Sequence, residues 1–251
     1  MSALATGGIV FVCVFGGALL GLFMHRLLPD HHTSSDTKDV VKLGMGLLAT
    51  MAALVLSLLI ASAKGSYDTQ SREVTQLAAN IAIVDRALAY YGPEAKDIRD
   101  NLRRSMGLIV EQMWPTDASR RAELDPASTK AEGLYEQLQA LSPQTEAQRS
   151  LKAEALRVAV EFAQTRSLLF AQRGSSIPLP FLVILIFWVA VIFVSFGLFA
   201  PRNATVIVAL LVCALSVSCA IFLILELDQP FQGFIQVSSA PLRSALARLG
   251  Q

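Results

Sequence analysis

Four stretches of the chain carry no charged residue: 1–24, 43–63, 179–200 and 203–225. At 1.5 Å per residue, each is long enough to cross roughly 30 Å of hydrocarbon as a helix. A different pattern fills the space between the second and the third. There Val74, Leu77, Ile81, Val84, Leu88 and Tyr91 recur in alternating steps of three and four, the heptad spacing of a helix buried against other helices. The pattern predicts an all-α membrane protein: four transmembrane helices in two hairpins, with a helical bundle inserted between them. The boundaries fall at 1–63 for the first hairpin, 64–176 for the bundle, 177–225 for the second hairpin and 226–251 for a tail.

The first helix runs from about Leu4 to Met24, and Gly7, Gly8, Gly16, Gly17, Ala18 and Gly21 let another helix approach it closely. Pro29 ends it, and a polar loop follows to about Asp39. The second helix begins near Val40. Thr50 and Ser57, seven residues apart, share a face that Ala61, Lys64 and Asp68 continue. That stripe could line a water-filled path; alternatively, the hydroxyls bond carbonyls one turn back and the small residues only permit packing. Extending the heptad seam backwards through Gln70, Tyr67, Ala63 and Ile60 joins this helix to the bundle. Unbroken from 43 to 91 it would be roughly 70 Å long, with Gly65 its weakest point.

Gly92-Pro93 starts the next helix, whose apolar side is Ile98, Leu102, Met106, Ile109 and Met113 and which Trp114-Pro115 closes. Asp125-Pro126 and Ser142-Pro143 read as two further helix starts. The first leads to Leu134, Leu138 and Leu141, the second to Leu151, Ala155, Val158, Phe162 and Leu169. The third membrane helix, about Leu179–Phe199, is rich in Phe and Trp, which suggests an outer, lipid-facing position. The fourth spans Thr205–Leu225, and a short terminal helix covers Ala240–Leu249.

Composition agrees with this reading. Hydrophobic residues are 53% and charged residues 16%, against about 25% charge in soluble domains. A net charge of +1 gives no case for a nucleic-acid partner. Arg26 follows the first apolar run instead of preceding it, so Met1–Met24 reads as a retained helix and not a signal peptide. Cys13, Cys213 and Cys219 lie inside apolar stretches with no C-x-x-C pair. His25, His31 and His32, with Asp30 and Asp36, read as a solvated loop and not a metal site. There is no H-E-x-x-H, G-x-S-x-G or phosphate-loop motif, so neither an enzyme nor a cofactor is expected.

Glu226 and Asp228 sit where the fourth helix ends, and the helix dipole disfavours acids there. They face solvent, or they meet a cation. An arginine such as Arg72, Arg166 or Arg173 could supply it; so could calcium, although two carboxylates are too few for an ion that takes 6–8 oxygens. Pro230-Phe231-Gln232-Gly233-Phe234 follows, a turn flanked by aromatic anchors that folds the tail back onto the bundle or onto a neighbouring subunit. Four crossings put both termini and the bundle on one side. The basic residues near the membrane tie between sides, and the cytoplasmic side is expected because nothing in the sequence supports export.

The segment Phe222-Leu223-Ile224-Leu225-Glu226-Leu227-Asp228-Gln229-Pro230-Phe231-Gln232-Gly233-Phe234, with Val237-Ser238-Ser239 and Pro241-Leu242 after it, resembles the bacterial bestrophin-like membrane proteins. Gly21 through Leu28-Pro29, Glu111-Gln112-Met113-Trp114-Pro115 and the Arg166–Arg173 approach add to the likeness. The resemblance implies bestrophin-like topology, a multi-pass place in a bacterial inner membrane and a homo-oligomer, with a pentamer favoured. It also implies an axial pore lined by the second helix that passes small ions, anions such as chloride first. Leu47, Thr50, Leu54, Ser57, Ala61 and Lys64 would then face the pore, and Glu226, Asp228, Pro230, Phe231 and Gly233 would form a structural or gating turn. Two departures stand out: no aromatic residue lies within 43–63, and no acid follows Asp228, whereas bestrophins carry bulky pore constrictions and an acidic calcium cluster after their Pro-Phe-Gly segment. The rival expectation is a non-conducting scaffold or sensor that presents its bundle to a partner.

Overall fold

The computed structural model describes residues 2–25, 35–114, 132–172, 177–201, 203–231 and 233–250. The described elements are helices: α1 (Ala3–Met24), α2 (Ser35–Tyr91), a 3-10 turn (Pro93–Ala95), α3 (Lys96–Met113), α4 (Glu132–Ala140), α5 (Glu146–Ala171), α6 (Leu179–Phe199), α7 (Ala204–Leu227) and α8 (Ala240–Arg248). Helices α1, α2, α6 and α7 are each long and apolar enough to cross a membrane. The chain divides into two compact units, Met1–Tyr67 with Ser175–Ile235, and Asp68–Gly174 with Gln236–Gln251. The tail is thus shared: its first residues belong to the first unit, and the rest to the second.

In the first unit, α1 packs chiefly on α6 and then on α7. Val10, Val14 and Ala18 of α1, Leu185 and Phe193 of α6, and Ala214 and Ile221 of α7 form one buried cluster with Ala52, Leu59 and Ala63 of α2. Glycines set the α1–α6 crossing. A Cβ on Gly21 would run into the Val194 carbonyl oxygen and lie 2.9 Å from the Leu198 nitrogen. One on Gly197 would run into the Ala18 carbonyl oxygen and lie 2.9 Å from the Leu22 nitrogen. The two backbones therefore touch where the side chains are absent. Helix α6 thus has a packed face as well as exposed aromatic residues. Phe181, Phe187 and Phe196 are exposed, while Leu182, Leu185, Val189 and Phe193 are buried.

Helix α2 differs from expectation at two places. It begins at Ser35, inside the segment read as a polar loop, and it passes Gly65 without a break. A helical glycine costs only about 1 kcal/mol relative to alanine, which packed turns on either side outweigh. The buried seam runs Ala52, Leu59, Ala63, Gln70, Val74, Leu77, Ile81, Val84, Leu88 and Tyr91. Leu59 takes the place foreseen for Ile60, which is exposed. At 57 residues, α2 is about 85 Å long.

In the second unit α2 is joined by α3, α4, α5 and α8. The apolar side of α3 is buried as its spacing predicted. Helix α5 starts at Glu146 behind a cap at Thr145, not at Ser142-Pro143: the Thr145 hydroxyl accepts the Gln148 amide at 3.1 Å, and Gln148 Oε1 accepts the Gln144 amide at 2.7 Å. A hydroxyl that captures a free first-turn N–H decides the start. The start read at Asp125-Pro126 lies outside the described residues. The tail straps this bundle, with Val237, Leu242 and Leu249 buried and Trp114 Nε1 donating to the Val237 carbonyl at 2.8 Å.

Asp85 and Arg99 form the ion pair that the periodicity of α2 and α3 does not reveal. Nε reaches Oδ1 at 2.8 Å and Nη2 reaches Oδ2 at 3.1 Å, with side chains 11% and 19% exposed. The hydrogen bond to Asp85 holds the Arg99 guanidinium above its ordinary range. Arg99→Met should destabilise the protein by about 2 kcal/mol, less than for a fully buried pair, because it leaves Asp85 without its cation. Pairing it with Asp85→Leu should recover much of that loss, since no buried charge remains. Thermal melting of the single and double variants checks both statements.

Candidate functional site

Six of the residues singled out above lie on the membrane portion of α2. Leu47, Thr50, Leu54, Ser57, Ala61 and Lys64 are all exposed, Leu47 and Leu54 at 67% each. At 100° per residue they fall within an arc of roughly 100°. Ala52, Leu59 and Ala63, which pack into the unit's own core, lie about half a turn away. The helix therefore presents a slim, weakly polar stripe on the side its own chain leaves uncovered.

The polarity of that stripe is muted. Thr50 Oγ1 donates to the Gly46 carbonyl at 2.9 Å, and Ser57 Oγ donates to the Ala53 carbonyl at 2.8 Å. Each hydroxyl proton is thus held within the helix, which leaves the oxygen lone pairs outward. At the end of the stripe the Lys64 ammonium sits 5.4 Å from the centre of the Tyr67 ring, close enough for attraction to the aromatic face.

The other five residues gather at the exit of α7. The sequence left open that Glu226 and Asp228 face solvent; instead both are buried, at 5% exposure each. Helix α7 runs one residue past Glu226, carrying it below the surface. Glu226 Oε2 accepts the backbone N–H of Phe234 at 2.6 Å and of Ile235 at 3.4 Å. For Glu226, backbone amides thus supply the partial positive charge sought from an arginine or a metal, and they offset the unfavourable dipole. Gly233 makes this turn with φ +98°, and a Cβ there would sit 2.9 Å from Glu226 Cδ. Pro230 is buried and Phe231 half-buried, while Phe234 stacks edge-on against Phe222, centroids 6.4 Å apart. Among the described residues no group of three or more His, Cys, Asp and Glu could hold a metal ion. His31 and His32 lie outside the described residues.

Glu226→Ala should free both amides and cost about 2 kcal/mol. Faster hydrogen exchange at Phe234 and Ile235 is the expected signature, with Glu226→Gln intermediate because one acceptor oxygen survives. Unchanged exchange in the alanine variant would remove the capping role.

The model of the bestrophin-like domain matches residues 12–242, nearly the whole chain. This chain belongs to the bestrophin-like family. Solved structures agree on the fold. One variant of a bacterial bestrophin homolog from Klebsiella pneumoniae superposes with a TM-score of 0.69 at 14% identity, covering 99% of this chain and 97% of that one. A second variant gives 0.63 at 12% identity over 94% and 97%, and a third gives 0.63 at 14% over 95% and 99%. No curated protein sequence matches. In this bestrophin-like chain, Gly197, the Asp85–Arg99 pair and the amide-capping role of Glu226 escaped the sequence reading. The first had a visible signal, a lone glycine in an otherwise bulky helix.

Proposed function

We propose that this bestrophin-like protein is the subunit of a homo-oligomeric ion channel, a pentamer by preference, in a bacterial inner membrane with bundle and termini in the cytoplasm. One observation carries the reading: the stripe from Leu47 to Lys64 is uncharged until its end and is turned away from the chain's own packed core. In an oligomer with α2 innermost, Leu47 and Leu54 would narrow the path and gate it by dewetting. Thr50 and Ser57 would offer oxygens at intermediate levels, and Lys64 would raise local anion concentration at one mouth. Small anions such as chloride are the expected cargo. The Glu226–Gly233 turn would hold the tail in the position that the assembly needs.

The test is flux. Purified protein in liposomes should pass chloride down its gradient, and Lys64→Glu should lower the chloride-to-potassium ratio several-fold. Correctly inserted protein that passes no ion defeats the proposal. A second reading, a non-conducting scaffold or sensor, draws support from the inward-bonded hydroxyls of Thr50 and Ser57. It predicts an intact oligomer without flux of any ion.

A further inference from the structure

We propose that the groove between α2 and α8 binds a soluble organic anion with a flat apolar body. The groove encloses about 640 Å³, within the roughly 300–1,000 Å³ of small-molecule sites. Its lining includes the short side chains of Ala78, Ala82 and Ala89 from α2 and Ala245 from α8, together with Tyr90. Methyl groups suit a planar apolar body, and the one acidic side chain among them, Asp85, already has its hydrogen-bond partners.

The charge on the two banks selects the ligand's sign. Arg86 lines the groove from α2 and Arg248 from α8, both exposed. Neither enters an ion pair or a side-chain hydrogen bond among the described residues. Asp85 also lines the groove, but Arg99 binds both its oxygens and the Gly250 N–H approaches Oδ2 at 3.5 Å. Its charge is therefore already balanced. The Ser244 hydroxyl donates to the Ala240 carbonyl at 2.7 Å, so it leaves anion binding to the arginines. Two unpaired guanidinium forks beside an apolar lining fit a phosphate or carboxylate on an aromatic or otherwise flat frame. The anchoring of α8 by buried Leu242 and Leu249 keeps the two banks in place before any ligand arrives.

This site is independent of the channel reading, and binding alone tests it. The full chain in zwitterionic-lipid nanodiscs is titrated calorimetrically with 1-naphthyl phosphate. Saturable binding at one site per chain is expected. Arg86→Gln and Arg248→Gln should each weaken it at least tenfold, and Arg86→Lys should weaken it less. Ala82→Trp, which fills the groove, should abolish it. Inorganic phosphate, which has the charge without the ring, should bind at least tenfold more weakly. Both arginines are unpartnered at the surface, so their glutamine variants should melt within about 2 °C of the parent, which separates lost binding from lost folding. Absence of saturable binding, as when a neighbouring subunit covers the groove, overturns the proposal. So does equal binding by the glutamine variants, or loss of binding in anionic-lipid nanodiscs, which would assign the arginines to a lipid headgroup.

Discussion

Gly197→Val should abolish the folded first unit or lower its melting temperature by about 10 °C, and Gly21→Val should do the same. Overfilling a packed site ordinarily costs about 1–3 kcal/mol, and here the obstacle is backbone, which cannot rotate aside. The atoms in the way are the Ala18 carbonyl oxygen and Leu22 nitrogen for one glycine, and the Val194 carbonyl oxygen and Leu198 nitrogen for the other. Helices α1 and α6 would have to separate along their whole crossing, and buried Val14, Ala18, Val189 and Phe193 would lose their contacts with it. The same helix provides the control. Gly8 and Gly16 have nothing within 4 Å of an added Cβ, so alanine there should be neutral or slightly stabilising through helix propensity. Fluorescence-detected size exclusion after a temperature ramp reads all four variants. A normal melt for Gly197→Val would mean that the crossing is not close.

The second large effect is expected in flux. Under the channel proposal, Ser57→Phe should reduce chloride transport at least tenfold while the oligomer stays intact. One phenyl ring per subunit at a single level would fill the axis where the native chain has a hydroxyl. Ser57→Ala should change little, because the native hydroxyl proton is already bonded to the Ala53 carbonyl. Met51→Phe places the same ring on an exposed position about a third of a turn away, and it should conduct like the parent. Equal flux from Ser57→Phe and Met51→Phe would detach the pore from this stripe. Stable oligomers without flux in the parent itself would favour the scaffold reading.

The long-range order of the chain was legible because membrane and heptad patterns are one-dimensional. An uncharged run of twenty residues has few alternatives in a bilayer. The seam from Val74 to Tyr91 repeats often enough that one exposed position in its backward extension, Ile60, hardly disturbs it. Local signals were weaker. Ser142-Pro143 and Thr145 both look like helix starts, and only the hydrogen bond from the Gln148 amide decides between them. The beginning of α2 at Ser35 was hidden because polar residues in a helix resemble polar residues in a loop.

The candidate site divides along the same line. Hydropathy and spacing alone put Leu47, Thr50, Leu54, Ser57, Ala61 and Lys64 on one face, since a straight helix fixes their relative angles. Which way that face turns depends on where Ala52, Leu59 and Ala63 find partners, and the buried cluster they join draws on α1, α6 and α7, the last two more than a hundred residues away in sequence. Glu226 shows the reverse case. Its oddity at a helix C-terminus was visible in the sequence, but its remedy was not. The donors are backbone amides of Phe234 and Ile235, which every sequence supplies and no composition reveals, and they reach the carboxylate only because Gly233 adopts a positive φ. Sequence alone determined which segments are helices and which of their faces are apolar, because both follow from local periodicity. Tertiary structure decided which faces meet and which stay uncovered, because those depend on backbone approach and on partners distant along the chain.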